Sequence, residues 1–411
     1  MRTWRTSIIT LTVAAGFLVP SAANAGPQPT PPTADQGRDQ PTAGQGRPPT
    51  ADQGRPPTTD RDRPPTADQN RPPTAGQNRP PTADRDRPLT VDQGRHRRTF
   101  DLQAHRGGLG LVVESTLPAF ANALELGVST LELDVQITED GRAVVTHDRR
   151  VSGTKCTDTG PATPGDPEFP YVGKYINTLT LKQVRTLDCG SKTLPDKPGQ
   201  RAVPGARVPL LSEVFHLVNM YRANQVKMNV ETKVEAGAPS ETAPREQFVR
   251  VTAAEIRKAG MTGRVTVQSF DWGALMLMRR VEPRLPLVAL SNYDFLQIGR
   301  PGASPWLGGI DIDDFDGDPI RAIRSFGATT YSPVHGFQDD TGYRPYVTAA
   351  MVRHAHAYGI KVVPWTVDDL PLMAKLIDDG VDGMITDYPD RLRSLLARRG
   401  FELPRRYTLP R

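Results

Sequence analysis

Between Ala104 and Asp148 the chain reads AHRGGLGLVVEST, then LELDV, then TEDGRAVVTHD, bringing His105, Arg106, Glu114, Glu132, Asp134 and His147 into one short stretch. If LELDV is a strand, Glu132 and Asp134 stand two residues apart and project from the same face. Two carboxylates converging on one point repel unless positive charge lies between them. A divalent cation supplies it, and hard oxygen ligands favour magnesium, calcium or manganese over zinc. Histidines flanking such a cation suit the acid and base of a displacement at a phosphate ester.

The elements that must position these groups are legible along residues 99–411, where short β-rich runs alternate with longer helical patterns. Strands are predicted at 100–105, 130–135, 226–232, 264–270, 285–290, 328–333, 360–367 and 383–387. Helices are predicted at 117–126, 211–222, 245–258, 273–281, 346–358, 370–379 and 390–398. Eight strands alternating with helices make an α/β chain of the (β/α)8 TIM-barrel class, in one domain. The Gly-, Pro- and Asp-rich run 291–318 is the least regular part. His105, Glu132 with Asp134, Glu231, Gln268, Trp365 and Asp387 then fall at or near the C-terminal ends of six strands, the face on which such barrels do chemistry.

A region of about 149–210, rich in Gly, Pro and Thr, follows the second strand and an apparent hairpin arm, RAVVTHD. It reads as an insertion that rises over the catalytic face and shapes access to it. It carries the chain's two cysteines, Cys156 and Cys189. In an exported chain these form a disulfide, closing a loop worth roughly 3–4 kcal/mol in chain entropy. Two free thiols are the alternative.

Export is expected from residues 1–25: Arg2 and Arg5 precede the mostly apolar run Ile8 to Val19, and Ala23-Asn24-Ala25 is a small-residue cleavage site. That run is too short to span a bilayer, and no later stretch approaches the roughly 20 apolar residues of a transmembrane helix. Residues 26–98 are Pro, Thr, Ala, Asp, Gln, Gly and Arg, with Arg47, Arg55, Arg63, Arg71, Arg79, Arg87 and Arg95 repeating every eight positions. Such a repeat has nothing apolar to bury and is expected to be a disordered, polyproline-biased stalk. Its excess of Arg allows weak attraction to an anionic wall or membrane surface. Residues 99–411 carry 37 Lys and Arg against 37 Asp and Glu, so the folded part is neutral and no basic stripe points to nucleic acid.

HRG, EST, ELDV, DGRAVVTHD, NVETK, QSF, PWTVDD and VDGMITDYPD, in that order, resemble the sequence blocks of the glycerophosphodiester phosphodiesterase family, secreted bacterial type, over nearly all of residues 100–395. The resemblance implies metal-dependent hydrolysis of glycerophosphodiesters to glycerol 3-phosphate and an alcohol. It implies one divalent ion, calcium or magnesium, on Glu132, Asp134 and Glu231, with His105 and His147 as the acid/base pair. Arg106 and Lys233 would contact the phosphate, Gln268 would lie at the substrate, Trp365 would wall the pocket, and Glu114 would support the first histidine loop. Ser115 and Asp368 stand where the family pattern has Asn, and Val113 where Pro is frequent. Two other readings are a phospholipase D-like activity on lysophospholipids or sphingolipids and a non-catalytic, wall-anchored binding module. A dead barrel would be expected to lose at least one of the five central residues, and all five are present. His216, His354 and His356 read as helix-surface residues, and the Asp311–Asp318 cluster as a solvated acidic loop, lacking the final Glu of a calcium loop.

Overall fold

From Phe100 onward each β-branched run becomes a strand and each longer amphipathic run a helix. The structure, a computed structural model, describes residues 98–340 and 342–410. The leader and, but for its last residue, the repeat segment expected at 26–98 lie outside the described residues. In chain order the elements are β1 (Asp101–Ala104), α1 (Leu117–Leu126), β2 (Thr130–Ile137), β3 (Ala143–Val145), α2 (Leu181–Val184), α3 (Leu211–Met220) and β4 (Lys227–Thr232). Next come α4 (Arg245–Lys258), β5 (Val265–Ser269), α5 (Trp272–Val281), β6 (Leu287–Ser291), α6 (Tyr293–Leu296), α7 (Pro319–Ser325) and β7 (Thr330–Pro333). The last are β8 (Gly336–Asp339), β9 (Gly342–Pro345), α8 (Ala349–Ala357), β10 (Lys361–Val362), α9 (Leu370–Asp379), β11 (Gly383–Thr386) and α10 (Pro389–Arg398).

Eight parallel strands lie in the order β10, β7, β6, β5, β4, β2, β1, β11. The sheet closes through Asp382 N–H to Val362 O at 2.9 Å, Ile385 N–H to Pro364 O at 3.0 Å and Val367 N–H to Ile385 O at 3.0 Å. Only two residues of the run predicted as a strand at 360–367 remain regular, because Pro364 has no N–H to continue the ladder. The result is the expected (β/α)8 barrel. Its strands are buried on both faces because helices cover the outside and side chains fill the inside; every residue of β2 is buried.

Helix α1 shows how local sequence fits this plan. Thr116 caps it, its Oγ1 accepting from Ala119 N–H at 3.2 Å, Pro118 sits in the first turn, and Gly127 ends it at φ 87°. Ala119, Phe120, Ala123 and Leu124 make its buried stripe, and burial of a ring such as Phe120 contributes about 1.5–3 kcal/mol.

Four features depart from a plain barrel. β2 overruns the barrel rim and pairs with β3, Val135 opposite Val145, which swings His147 back over the mouth. The region 149–210 then builds a small core of its own from Val151, Tyr171, Ile176, Leu179, Val184 and Leu187, tied by the Cys156–Cys189 disulfide. Between β6 and β7 the irregular run holds α6, two 3-10 turns at 305–307 and 312–315, and α7, which was not anticipated. Its aspartates act as caps: Asp311 accepts from Asp313 N–H at 3.1 Å and Asp318 from Ile320 N–H at 2.9 Å. The β8–β9 hairpin was also unforeseen, since Gly336 to Pro345 lacks apolar alternation. No helix among the described residues is long and apolar enough to cross a membrane.

The turn after β1 leaves no room for a side chain at Gly107. Gly107 sits at φ +86°, and a Cβ there would lie 2.9 Å from Ala119 Cβ and 3.0 Å from Phe120 N. Gly107→Ala is expected to lower stability by about 1–3 kcal/mol, read as an earlier urea-unfolding midpoint. An unchanged midpoint would show that α1 yields freely.

Candidate active site

Strand register brings the acids together. In the β2–β4 ladder Asp134 lies beside Glu231 and Glu132 beside Asn229. Glu132, Asp134 and Glu231 each place a carboxylate oxygen within 4.8 Å of the others, at 2%, 1% and 5% exposure. Chain reversal at the end of β1 adds the next group. Arg106 adopts left-handed φ 51°, ψ 32°, a strained conformation for a residue with a side chain, and its N–H donates to Glu132 Oε2 at 2.9 Å.

Charge is shared unequally among the three acids. Burial, then Asp134 and Glu231, push Glu132 well above the usual carboxylate range. Burial outweighs Lys233 to bring Glu231 up to about 7. For Asp134, burial is overcome by Lys233, His147 and Arg106, and its pKa falls to about 2. Lys233 Nζ lies 2.8 Å from Glu231 and 3.7 Å from Asp134. Arg106 Nη1 meets Glu114 at 2.6 Å, and its Nε lies 3.2 Å from Asp134 Oδ2. That last contact is in ion-pair range but misaligned, so both atoms lack a hydrogen-bond partner. Three hard oxygen donors, one of them orphaned, with two protons to displace, fit a divalent oxygen-seeking cation.

Gln268 has another immediate role than the substrate contact expected of it. Its Nε2 donates to Glu132 Oε1 at 2.7 Å and its Oε1 accepts from Asn229 at 2.7 Å, so both ends of the buried amide orient the acid cluster.

Both histidines are held by Asp carboxylates. His105 Nδ1 lies 2.6 Å from Asp387 Oδ1, and His147 Nδ1 lies 2.8 Å from Asp148 Oδ1. An ionised Asp at Nδ1 selects the Nδ1–H tautomer and leaves Nε2 for proton exchange. Burial would raise Asp387, but His105 and Lys197 outweigh it and hold it below the usual carboxylate range. Burial, then Lys233 and Arg106, push His147 well below the usual histidine range.

The acids, both histidines, Arg106, Lys233, Gln268 and Trp365 line a small hollow of about 90 Å³. It shares His147, Glu231, Lys233, Phe270 and Trp365 with an open cleft of about 890 Å³. Trp365 lines this cleft, where its ring meets Phe270 edge-on at 5.3 Å and Phe295 stacks on Trp306 at 4.2 Å beside them. Arg149, bridging Glu235 and Glu241, also lines the cleft.

The sequence blocks of this site are those of a known family. The profile of the glycerophosphoryl diester phosphodiesterase family matches residues 105–391. The chain belongs to that family. It is 29% identical to a glycerophosphodiester phosphodiesterase of Caldanaerobacter subterraneus over 72% of this chain and 98% of that one. Among solved structures it resembles a glycerophosphoryl diester phosphodiesterase from Silicibacter pomeroyi, with TM-score 0.61 and 29% identity over 75% of this chain and 96% of that one. It also shares the fold of an Oleispira antarctica phosphodiesterase in complex with the product sn-glycerol-3-phosphate, with TM-score 0.50 and 20% identity over 72% and 96% of the two chains.

Some residues of this phosphodiesterase site escaped sequence reasoning. Lys155 bridges Glu114 at 2.7 Å and Asp148 at 2.9 Å, and Lys197 reaches Asp387 at 2.6 Å and Asp368 at 3.4 Å. Both lysines lie in the irregular insertion, where no period or block singles them out. Phe295 and Trp306 lie in the equally irregular run after β6. Asp387 was placed at the mouth by its strand, but its contact with His105, 282 positions away, had no local signal. Glu114 accepts a hydrogen bond from Arg106 of the first histidine loop. His216, His354 and His356 are exposed on α3 and α8, as expected.

The shared protons make metal binding pH-dependent. Glu132 and Glu231 titrate above their ordinary value of 4.5 when no metal is bound, so the folded state holds protons that the unfolded chain loses between about pH 4.5 and pH 7. Metal-free protein is therefore expected to lose stability as pH rises through that window, and metal to restore it. The gain in Tm on adding calcium or magnesium to chelator-treated protein should grow from pH 5.5 to pH 8. A gain that shrinks or stays level would contradict this charge distribution.

Proposed function

We propose that this enzyme hydrolyses small glycerophosphodiesters to glycerol 3-phosphate and an alcohol, using His105 and His147 as the acid/base pair. The observation that carries the reading is the convergence of three buried carboxylates, two cations and two Asp-held histidines on one hollow of about 90 Å³. The Oleispira relative's product complex supports glycerol 3-phosphate as the product. A single divalent ion on Glu132, Asp134 and Glu231, calcium in preference to magnesium for an exported protein, would neutralise a phosphate oxygen and so stabilise charge developing in the transition state.

Arg106 and Lys233 bring the remaining positive charge to the phosphate, preset by Glu114, Asp134 and Glu231. His147, kept neutral by burial and by the nearby cations, is the base that takes the proton of the attacking hydroxyl. That hydroxyl belongs to water, or to the neighbouring carbon of the substrate's glycerol, in which case a cyclic phosphate forms first and water then opens it to glycerol 3-phosphate. The new phosphorus–oxygen bond forms as the bond to the departing alcohol breaks. His105 gives its Nε2 proton to that alkoxide, and Asp387 balances the charge on its ring.

We place the enzyme outside the cell, on the leader-like residues 1–25 and the disulfide, with the Arg-rich repeat favouring weak association with an anionic wall or membrane surface. The aromatic wall of the wide cleft favours, as a second reading, action on lysophospholipids. The intact catalytic set is the reason to set aside the binding-module reading.

Release of glycerol 3-phosphate from glycerophosphocholine should require calcium or magnesium, stop with chelator, and fall by about 10²–10⁴-fold in His105→Ala, His147→Ala and Glu132→Ala. A diester with a p-nitrophenolate leaving group should rescue His105→Ala but not His147→Ala, because that leaving group needs no proton. Rescue of His147→Ala instead would exchange the two roles. No release from the small diester, with turnover of lysophosphatidylcholine, would sink the small-substrate reading.

A further inference from the structure

The two Asp–His pairs of the site are built alike, down to the atoms used. Asp387 gives Oδ1 to His105 Nδ1 at 2.6 Å and Oδ2 to Lys197 Nζ at 2.6 Å. Asp148 gives Oδ1 to His147 Nδ1 at 2.8 Å and Oδ2 to Lys155 Nζ at 2.9 Å. Both lysines come from the insertion at 149–210, and neither belongs to the barrel. A carboxylate held by one oxygen can swing about its χ2 axis and carry the imidazole with it. Held by both oxygens it fixes the ring plane, and with it the direction of Nε2.

The two lysine arms are tied to each other and to the barrel. Cys156 follows Lys155 directly and is bonded to Cys189, eight residues before Lys197. Lys192 Nζ donates to Gly153 O at 2.6 Å and Cys156 O at 3.0 Å, joining the arms a second time. The Lys197 segment docks on the loop that follows the HRG turn: Gln200 Nε2 donates to Leu109 O at 2.6 Å, and Arg201 N–H to Leu111 O at 2.9 Å. Hydrogen bonds thus join the Lys197 arm to the loop that follows His105.

We propose that Lys155 and Lys197 are positioning residues for the two histidines, which makes the disulfide-tied insertion a working part of the active site as well as a wall of its cleft. This rests on the acid/base reading of His105 and His147. The two lysines differ in one respect. Among the described acids Lys197 touches Asp387 and Asp368, whereas Lys155 also holds Glu114 at 2.7 Å and through it Arg106.

In the full-length, metal-loaded enzyme, Lys197→Met is expected to lower kcat by roughly 10- to 100-fold with KM within about twofold. Lys155→Met should lower kcat comparably and also raise KM, because Arg106 loosens on the phosphate side. Lys→Arg at either position should recover much of the loss. A purely structural lysine would leave one quantity untouched: the Nδ1–H resonances of His105 and His147 in ¹⁵N-histidine-labelled protein. Loss or displacement of the His105 signal in Lys197→Met, and of the His147 signal in Lys155→Met, at unchanged Tm, would support the proposal. Wild-type kcat and unmoved resonances in both Met variants, while His105→Ala and His147→Ala are inactive, would overturn it and leave the acid/base reading standing. Active histidine variants would overturn both.

Discussion

Three carboxylates within 4.8 Å of one another, almost out of reach of water, cannot all carry charge unaided. Burial and mutual repulsion each raise the free energy of the ionised forms, and only added positive charge lowers it. The surroundings of Glu132, Asp134 and Glu231 follow from this conflict. Lys233 and Arg106 settle most of one negative charge onto Asp134, and the other two acids retain protons that a divalent ion can displace. The cluster is thus unfavourable for the apo fold and favourable for a metal-loaded enzyme, as at other functional sites where local stability yields to chemistry.

From that centre, charge alternates outward. Asp134 faces Arg106, Arg106 faces Glu114, Glu114 faces Lys155, Lys155 faces Asp148, and Asp148 faces His147. On the other side Asp368 and Asp387 face Lys197, and Asp387 faces His105. In a partly dry site such chains strengthen each member and make each removal felt beyond its own pair. Both chains end on a histidine and pass through the insertion. A loop added after the second strand has therefore become part of the charge balance of the mouth, which the barrel alone leaves incomplete.

The barrel contributes separation of duties. Strands β2, β4 and β5, and the residues that directly follow β1 and β11, deliver polar side chains to a single rim, while their apolar neighbours pack under the helices. Gln268 and the Arg106 N–H hold Glu132 with neutral donors, and Asn229 fixes the Gln268 amide in turn.

Local sequence was enough for the barrel and for the centre of the site, because both are written in short-range patterns. Period-two and period-3.6 runs specify strand and helix, and Glu132 with Asp134 shares a face by spacing alone. The blocks carrying His105, Arg106, Glu231, Lys233 and His147 lie next to those strands. Tertiary structure alone decided what has no period. The two insertion lysines, Phe295 and Trp306 sit in irregular segments, α7 starts from an aspartate run that reads as loop, and β10 shrinks at Pro364. The partners of the histidines and the use of Gln268 as a brace were likewise beyond local pattern. His105 meets Asp387 across 282 residues and Lys197 meets it across 190, contacts that exist only once the sheet has closed and the insertion has folded back on it.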